Sequence, residues 1–110
     1  MLSRLLVLTL VLATVGLINP ASAADLAAGK AKATEICLAC HGAEGNSTVA
    51  DFPKLGGQHP DYLAKALRDY KSGQRKNPIM AGFAQGLTDK DIENVAQYFY
   101  TQPSNLASRY

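Results

Sequence analysis

Apolar residues recur at helical spacing in three stretches of the chain, and nowhere do they alternate with polar ones over the length of a strand. From Asp25 to Cys40, the residues Leu26, Gly29, Ala33, Ile36, Cys37 and Cys40 lie three or four apart and share one face, while Lys30, Lys32 and Glu35 fall on the others. A second helix is predicted to start near Pro60, since proline suits the first helical position. Leu63, Ala66, Leu67 and Tyr70 line its buried side, and Gly73 is placed to cap its end. The third opens on Thr88 as N-cap, with Asp91 three residues on as a variant of the capping box. Asp89, Asp91 and Glu93 complement the positive end of that helix's dipole. Ile92, Val95, Ala96 and Phe99 form its apolar stripe, and Pro103 lies beyond it. With no window of sustained period-two alternation, no sheet is expected and the fold class is all-α. Two stretches lack periodicity. Gly42 to His59, with glycines at 42, 45, 56 and 57, reads as a long loop of the kind that is functional or wraps around something. Gln74 to Gly86, with Pro78 and Met80, reads as irregular.

The N-terminal segment follows a different pattern and is set apart from the fold. Arg4 supplies a positive charge, Leu5 to Ile18 is almost wholly apolar, Asn19-Pro20 breaks the run, and Ala21-Ser22-Ala23 supplies small residues. That is the layout of a secretory signal peptide, residues 1–23, cut after Ala23. The apolar run falls short of the ~20 residues of a membrane-spanning helix, so stable membrane insertion is not expected. Residues 24–110 form the single remaining domain, exported and soluble.

Composition narrows the chemistry. Lys and Arg number 11 against 9 Asp and Glu, a formal net charge of +2. A balance so close to neutral excludes nucleic acid as a partner, which needs a concentrated basic surface, and excludes an acidic disordered tail. The chain has no Trp, 2 Cys, 2 His and 2 Met. A small exported domain usually leans on several disulfides, a metal or a cofactor, and a single cysteine pair is too few for a disulfide framework.

That pair lies in Cys37-Leu38-Ala39-Cys40-His41. C-x-x-C-H is the attachment signature of c-type haem. Two thiols on one helical turn reach two vinyl groups on one side of a porphyrin, and the histidine that follows serves as proximal iron ligand. A thioredoxin-like dithiol would instead place its cysteines at a helix N-terminus, where the dipole lowers the thiol pKa; these follow an amphipathic helix. Structural zinc needs four ligands, and only Cys37, Cys40, His41 and the distant His59 could be counted. A plain cysteine pair or local disulfide leaves His41 and the long glycine-rich loop without a role. For a sixth iron ligand the candidates are Met80, off any periodic face, and His59, which precedes Pro60 at a helix start.

In the order and spacing of these residues the chain resembles the class I c-type cytochromes, and among them the monohaem cytochrome c4/c5/c553-like proteins. The likeness rests on Cys37-Leu38-Ala39-Cys40-His41-Gly42, on Phe52-Pro53-Lys54-Leu55-Gly56-Gly57-Gln58, and on Tyr62-Leu63 with Leu67 and Tyr70. It continues through Gly73-Gln74-Arg75 and Met80 to Leu87-Thr88-Asp89-Lys90-Asp91-Ile92. Cytochrome c4 proper looks like two such domains in tandem, and this chain holds one. The resemblance implies four to five helices around one haem c, covalently bound through Cys37 and Cys40, with His41 and Met80 as metal ligands. It implies that the Pro53 carbonyl accepts the Nδ1–H of His41, that Gly29 marks a crossing with the helix of Phe99, and that Arg75 and Lys54 are candidates to balance haem propionates.

With both axial positions filled by protein, no place is left for a substrate, and no residue is assigned a catalytic role. The expectation is a periplasmic, monomeric electron carrier, not an enzyme, that meets a redox-protein donor and acceptor transiently. Haem proteins with a labile sixth ligand and haem subunits held permanently by a larger enzyme are the other classes. Docking is expected to be mainly apolar, with a local contribution from Lys71, Arg75 and Lys76.

Overall fold

The computed structural model describes residues 23–104 and Leu106. The predicted leader lies outside them, apart from Ala23. Asp25 starts the first helix, α1 (Leu26–Ile36), by accepting the N–H of Ala28 at 3.0 Å. The apolar periodicity runs on to Cys40, but the helix is interrupted at Cys37, where φ is −103°, and a separate turn, α2 (Leu38–His41), carries the rest. The interruption is slight, since the Cys37 N–H still donates to Ala33 O at 2.8 Å and the His41 N–H to Cys37 O at 3.0 Å. At the other end of that stripe Leu26 is exposed and does not join the core.

After α2 the chain turns through a short 3₁₀ segment, Ala43–Gly45. α3 spans Pro60–Ser72 and ends on Gly73 in the left-handed conformation, φ +85°. The next helix, α4 (Pro78–Gln85), occupies the stretch that periodicity left irregular. It is too short to display a period, yet it carries a local start signal. Asn77 accepts the N–H groups of Ile79 and Met80, both at 3.0 Å, and Pro78 sits in the first turn. α5 (Asp89–Tyr100) has the reciprocal box at its start: Thr88 Oγ1 accepts from Asp91 N–H, and the Asp91 carboxylate accepts from Thr88 N–H. Five α-helices and no strand are present among the described residues, an all-helical fold.

α1 and α5 cross closely, and the crossing depends on one missing side chain. A β-carbon on Gly29 would lie 2.2 Å from the Asn94 carbonyl oxygen and 3.0 Å from Tyr98 Cβ. Asn94 is itself buried, and its Oδ1 accepts the Asp25 N–H at 2.8 Å, which ties the start of α1 to the middle of α5. Ala33, Ile92, Val95 and Phe99 are at most 2% exposed, and Leu63 and Ala64 bring α3 onto them. Burial of side chains of this size contributes about 1.5–3 kcal/mol each for Val, Ile and Phe, and α5 supplies the largest fully buried ones. The long loop after α2 is held to the end of α5: Gly57 N–H donates to Phe99 O at 2.8 Å, and Asn46 Nδ2 donates to Pro103 O at 2.6 Å. Gly45, at φ +73°, lies so near the Phe99 ring that a β-carbon would come within 2.7 Å of it. The scaffold is therefore two crossed helices with α3, α4 and the loop arranged around one side.

Candidate functional site

Those elements enclose a cavity of about 600 Å³. Leu63 and Leu67 of α3, Leu87, and Val95 and Phe99 of α5 form apolar walls, and Cys37, Cys40, His41, Pro53 and Met80 line the same space. The size falls in the range of cofactor sites, ~300–1,000 Å³. Residues separated by forty positions in the chain are thus brought to one chamber, with the cysteines and histidine on α2 and its preceding cap, and methionine on α4.

His41 is 7% exposed. Its Nδ1 lies 2.8 Å from the carbonyl oxygen of Pro53. A carbonyl only accepts, so Nδ1 carries the proton and donates, and Nε2 is left with its lone pair. That bond fixes the ring's orientation and its metal-binding nitrogen at once. Pro53 reaches this place because its loop is anchored on both sides: Ser47 Oγ, buried, closes a turn with Val49, and Leu55 N–H donates to Gly45 O at 2.8 Å.

Cys37 and Cys40 are half-buried and no disulfide joins them. Burial pushes the Cys37 thiol up to about 11. A redox-active dithiol needs the opposite, a thiol whose pKa is depressed, so the environment disfavours that chemistry. No group of three or more His, Cys, Asp or Glu side chains is placed to share a metal ion among the described residues, and the four-ligand zinc arrangement has no site there. His59 is exposed at the start of α3 and is not part of the cavity wall. Arg75 and Lys54 do line the cavity. Arg75 stacks over the Tyr70 ring, 5.0 Å from its centroid, and its Nη1 lies 3.4 Å from Tyr62 Oη.

Residues that the periodicity did not single out also shape the chamber. Asn77 is one, and its Asn-Pro pair was a legible N-cap signal. Tyr62 and Phe83 are others: both line the cavity while remaining largely exposed, so a stripe analysis places them on the solvent side. The donor set matches a covalently held haem in kind and order: two thiols within one turn, an imidazole next to them with one nitrogen committed to a backbone carbonyl, a thioether on another helix, and apolar walls between.

Comparison with known proteins agrees. Residues 24–99 match the family described as cytochrome C oxidase, cbb3-type, subunit III. A cytochrome c4 of Thiocapsa roseopersicina is 51% identical over 79 residues, covering 72% of this chain and 41% of that protein. Cytochrome c-554(548) of Halomonas halodenitrificans is 41% identical over 83 residues, which is 73% of this chain and 99% of that protein. Among solved structures, the crystal structure of reduced recombinant cytochrome c4 from Pseudomonas stutzeri aligns with a TM-score of 0.61 at 35% identity, over 74% of this chain and 51% of that one. The chain spans about half the length of the cytochrome c4 relatives it matches. Fold, donor set and family match converge on one conclusion: the chain belongs to the cytochrome c family, with the class I fold and with haem c held covalently through Cys37 and Cys40.

Proposed function

We propose that this chain is a periplasmic monohaem electron carrier, exported by a leader over residues 1–23, whose cytochrome domain comprises residues 24–110. The observation that carries the reading is the placement of His41 and Met80 on the wall of one apolar cavity together with both attachment cysteines. Bound haem supplies a one-electron iron couple. His41 and Met80 would hold its iron, so that no position would be left for a substrate. Pro53 holds His41 in the tautomer that presents Nε2. Met80 supplies a thioether, and a His/Met pair raises the reduction potential. The apolar walls work in the same direction, because they penalise the more highly charged oxidised state. Such a centre transfers electrons without forming or breaking bonds at the iron, so we assign no enzymatic activity. Its partners are a donor and an acceptor protein met transiently by a monomer. The family match beginning at residue 24 supports the proposed domain start, and no helix among the described residues is long and apolar enough to cross a membrane.

The test is spectroscopic. Met80→Ala in the haem-loaded protein should abolish the sulfur-to-iron charge-transfer band, allow carbon monoxide to bind the reduced form, and lower the potential. His59→Ala should leave all three unchanged. Carbon monoxide binding by the unsubstituted protein at neutral pH would overturn the carrier reading.

A further inference from the structure

α4 is a short helix held to its neighbour by polar links. It has eight residues, well under the ~12–15 at which isolated helices become marginally stable. Ile79, Met80 and Phe83 of this helix line the cavity, and polar links join the helix to the last turn of α3. A helix end leaves its final carbonyls without partners inside the helix, and here groups flanking or belonging to α4 take them. Gln85 Nε2, at the end of α4, donates to Lys71 O at 2.7 Å. Lys71 Nζ reaches in the other direction and donates to Leu87 O, just past α4. Ahead of α4, the Arg75 N–H donates to Asp69 O at 3.0 Å, and the Arg75 side chain rests on Tyr70 and Tyr62. α4 is thus tied at its C-terminal end to the last turn of α3, and the segment that leads into it is fixed by Arg75, with Met80 between.

We propose that this clasp positions Met80, and that Lys71 and Gln85 are positioning residues for the sixth iron ligand. The inference rests on the reading of Met80 as that ligand. Neither Lys71 nor Gln85 belongs to the cavity wall, so any effect they have on the iron is transmitted through the placement of α4. When the ties are cut, α4 can swing outward on the segments at its ends and withdraw the thioether. The clasp therefore sets how readily an outside ligand displaces methionine, a property separate from overall stability.

The experiment uses the haem-loaded full chain and imidazole as the probe. Four variants are compared with the parent: Gln85→Met, Lys71→Met, the two combined, and Lys71→Arg, which keeps a donor. Affinity for imidazole and the intensity of the sulfur-to-iron band are measured well below each variant's unfolding midpoint. The double variant should bind imidazole at least about tenfold more tightly, each single variant should fall between, and Lys71→Arg should stay near the parent. A double variant that melts earlier yet binds imidazole with unchanged affinity would reduce the clasp to ordinary structural support and overturn the proposal. If the double variant fails to load haem, Gln85→Met alone decides: affinity equal to the parent refutes the clasp. Met80→Ala separates the two levels of inference. If it leaves the band and imidazole binding unchanged, the ligand reading itself fails, and the clasp's role falls with it.

Discussion

At single positions, the same change has opposite consequences depending on what surrounds it. Gly29 and Gly82 both lie inside helices, where alanine is intrinsically favoured by about 1 kcal/mol. At Gly29 the added carbon meets the backbone of Asn94, which cannot move without spreading the α1–α5 crossing. At Gly82 nothing lies within 4 Å. Gly29→Ala is expected to destabilise the haem-loaded protein by about 2 kcal/mol or more through overpacking, and Gly82→Ala to stabilise it by about 0.5–1 kcal/mol. Denaturant midpoints of the two variants measure this directly, and equal midpoints would contradict the crossing described. Gly29 was legible in the sequence as a small residue on an apolar face. Asn94 was not, because a buried asparagine that accepts a backbone N–H from 69 positions away leaves no local pattern.

For whole elements, the legible ones were those with both a period and a start signal. α5 is the clearest case: stripe, N-cap and box all agree, and each is present. Its box also gives a pH dependence. The backbone N–H of Thr88 holds the Asp91 carboxyl below the usual carboxylate range. A group whose pKa is lower folded than unfolded stabilises the fold when ionised, so its contribution is present at neutral pH and is lost as pH falls through and below the ordinary carboxylate range. Stability of the parent should therefore decline in that acid window more steeply than that of Asp91→Asn, as read from unfolding midpoints at stepped pH. Thr88→Ala removes the other half of the box and should cost about 1 kcal/mol at neutral pH. α4 escaped notice because its eight residues hold barely two turns, and its anchoring is to α3, through Gln85 and Lys71, and not to a period of its own. The interruption at Cys37 was invisible for another reason: it is a change in one backbone angle that leaves the apolar spacing intact.

Across the molecule, charge and exposure decide how partners are met. The three cations near the cavity mouth were expected to act together. Lys71 instead turns inward to Leu87 O, and Arg75 is held against Tyr62 and Tyr70. Arg68 faces Asp89 and Glu93. What the mouth presents outward is Ile79, Phe83 and Tyr62, all exposed and all part of the cavity wall. A surface of that kind binds through apolar contact, and long-range steering needs a strong one-sided field. Electron-transfer rates with a physiological partner, followed by stopped flow, should fall by less than about tenfold between low and physiological salt. A steeper decline would reveal a charged docking face elsewhere.

The contact of Gly29 with Asn94 and Tyr98 also has a consequence in time. A chain that emerges amino end first presents Cys37, Cys40 and His41 long before α5 has been made. Until Phe99 and Pro103 arrive, the loop that carries Pro53 lacks its fastening to the end of α5. Cys37 and Cys40, which the fold half-buries, are likewise open during that interval. The closure of the crossing thus ends a period in which the haem-attachment segment is freely accessible, and the last segment to be synthesised determines how long that period lasts.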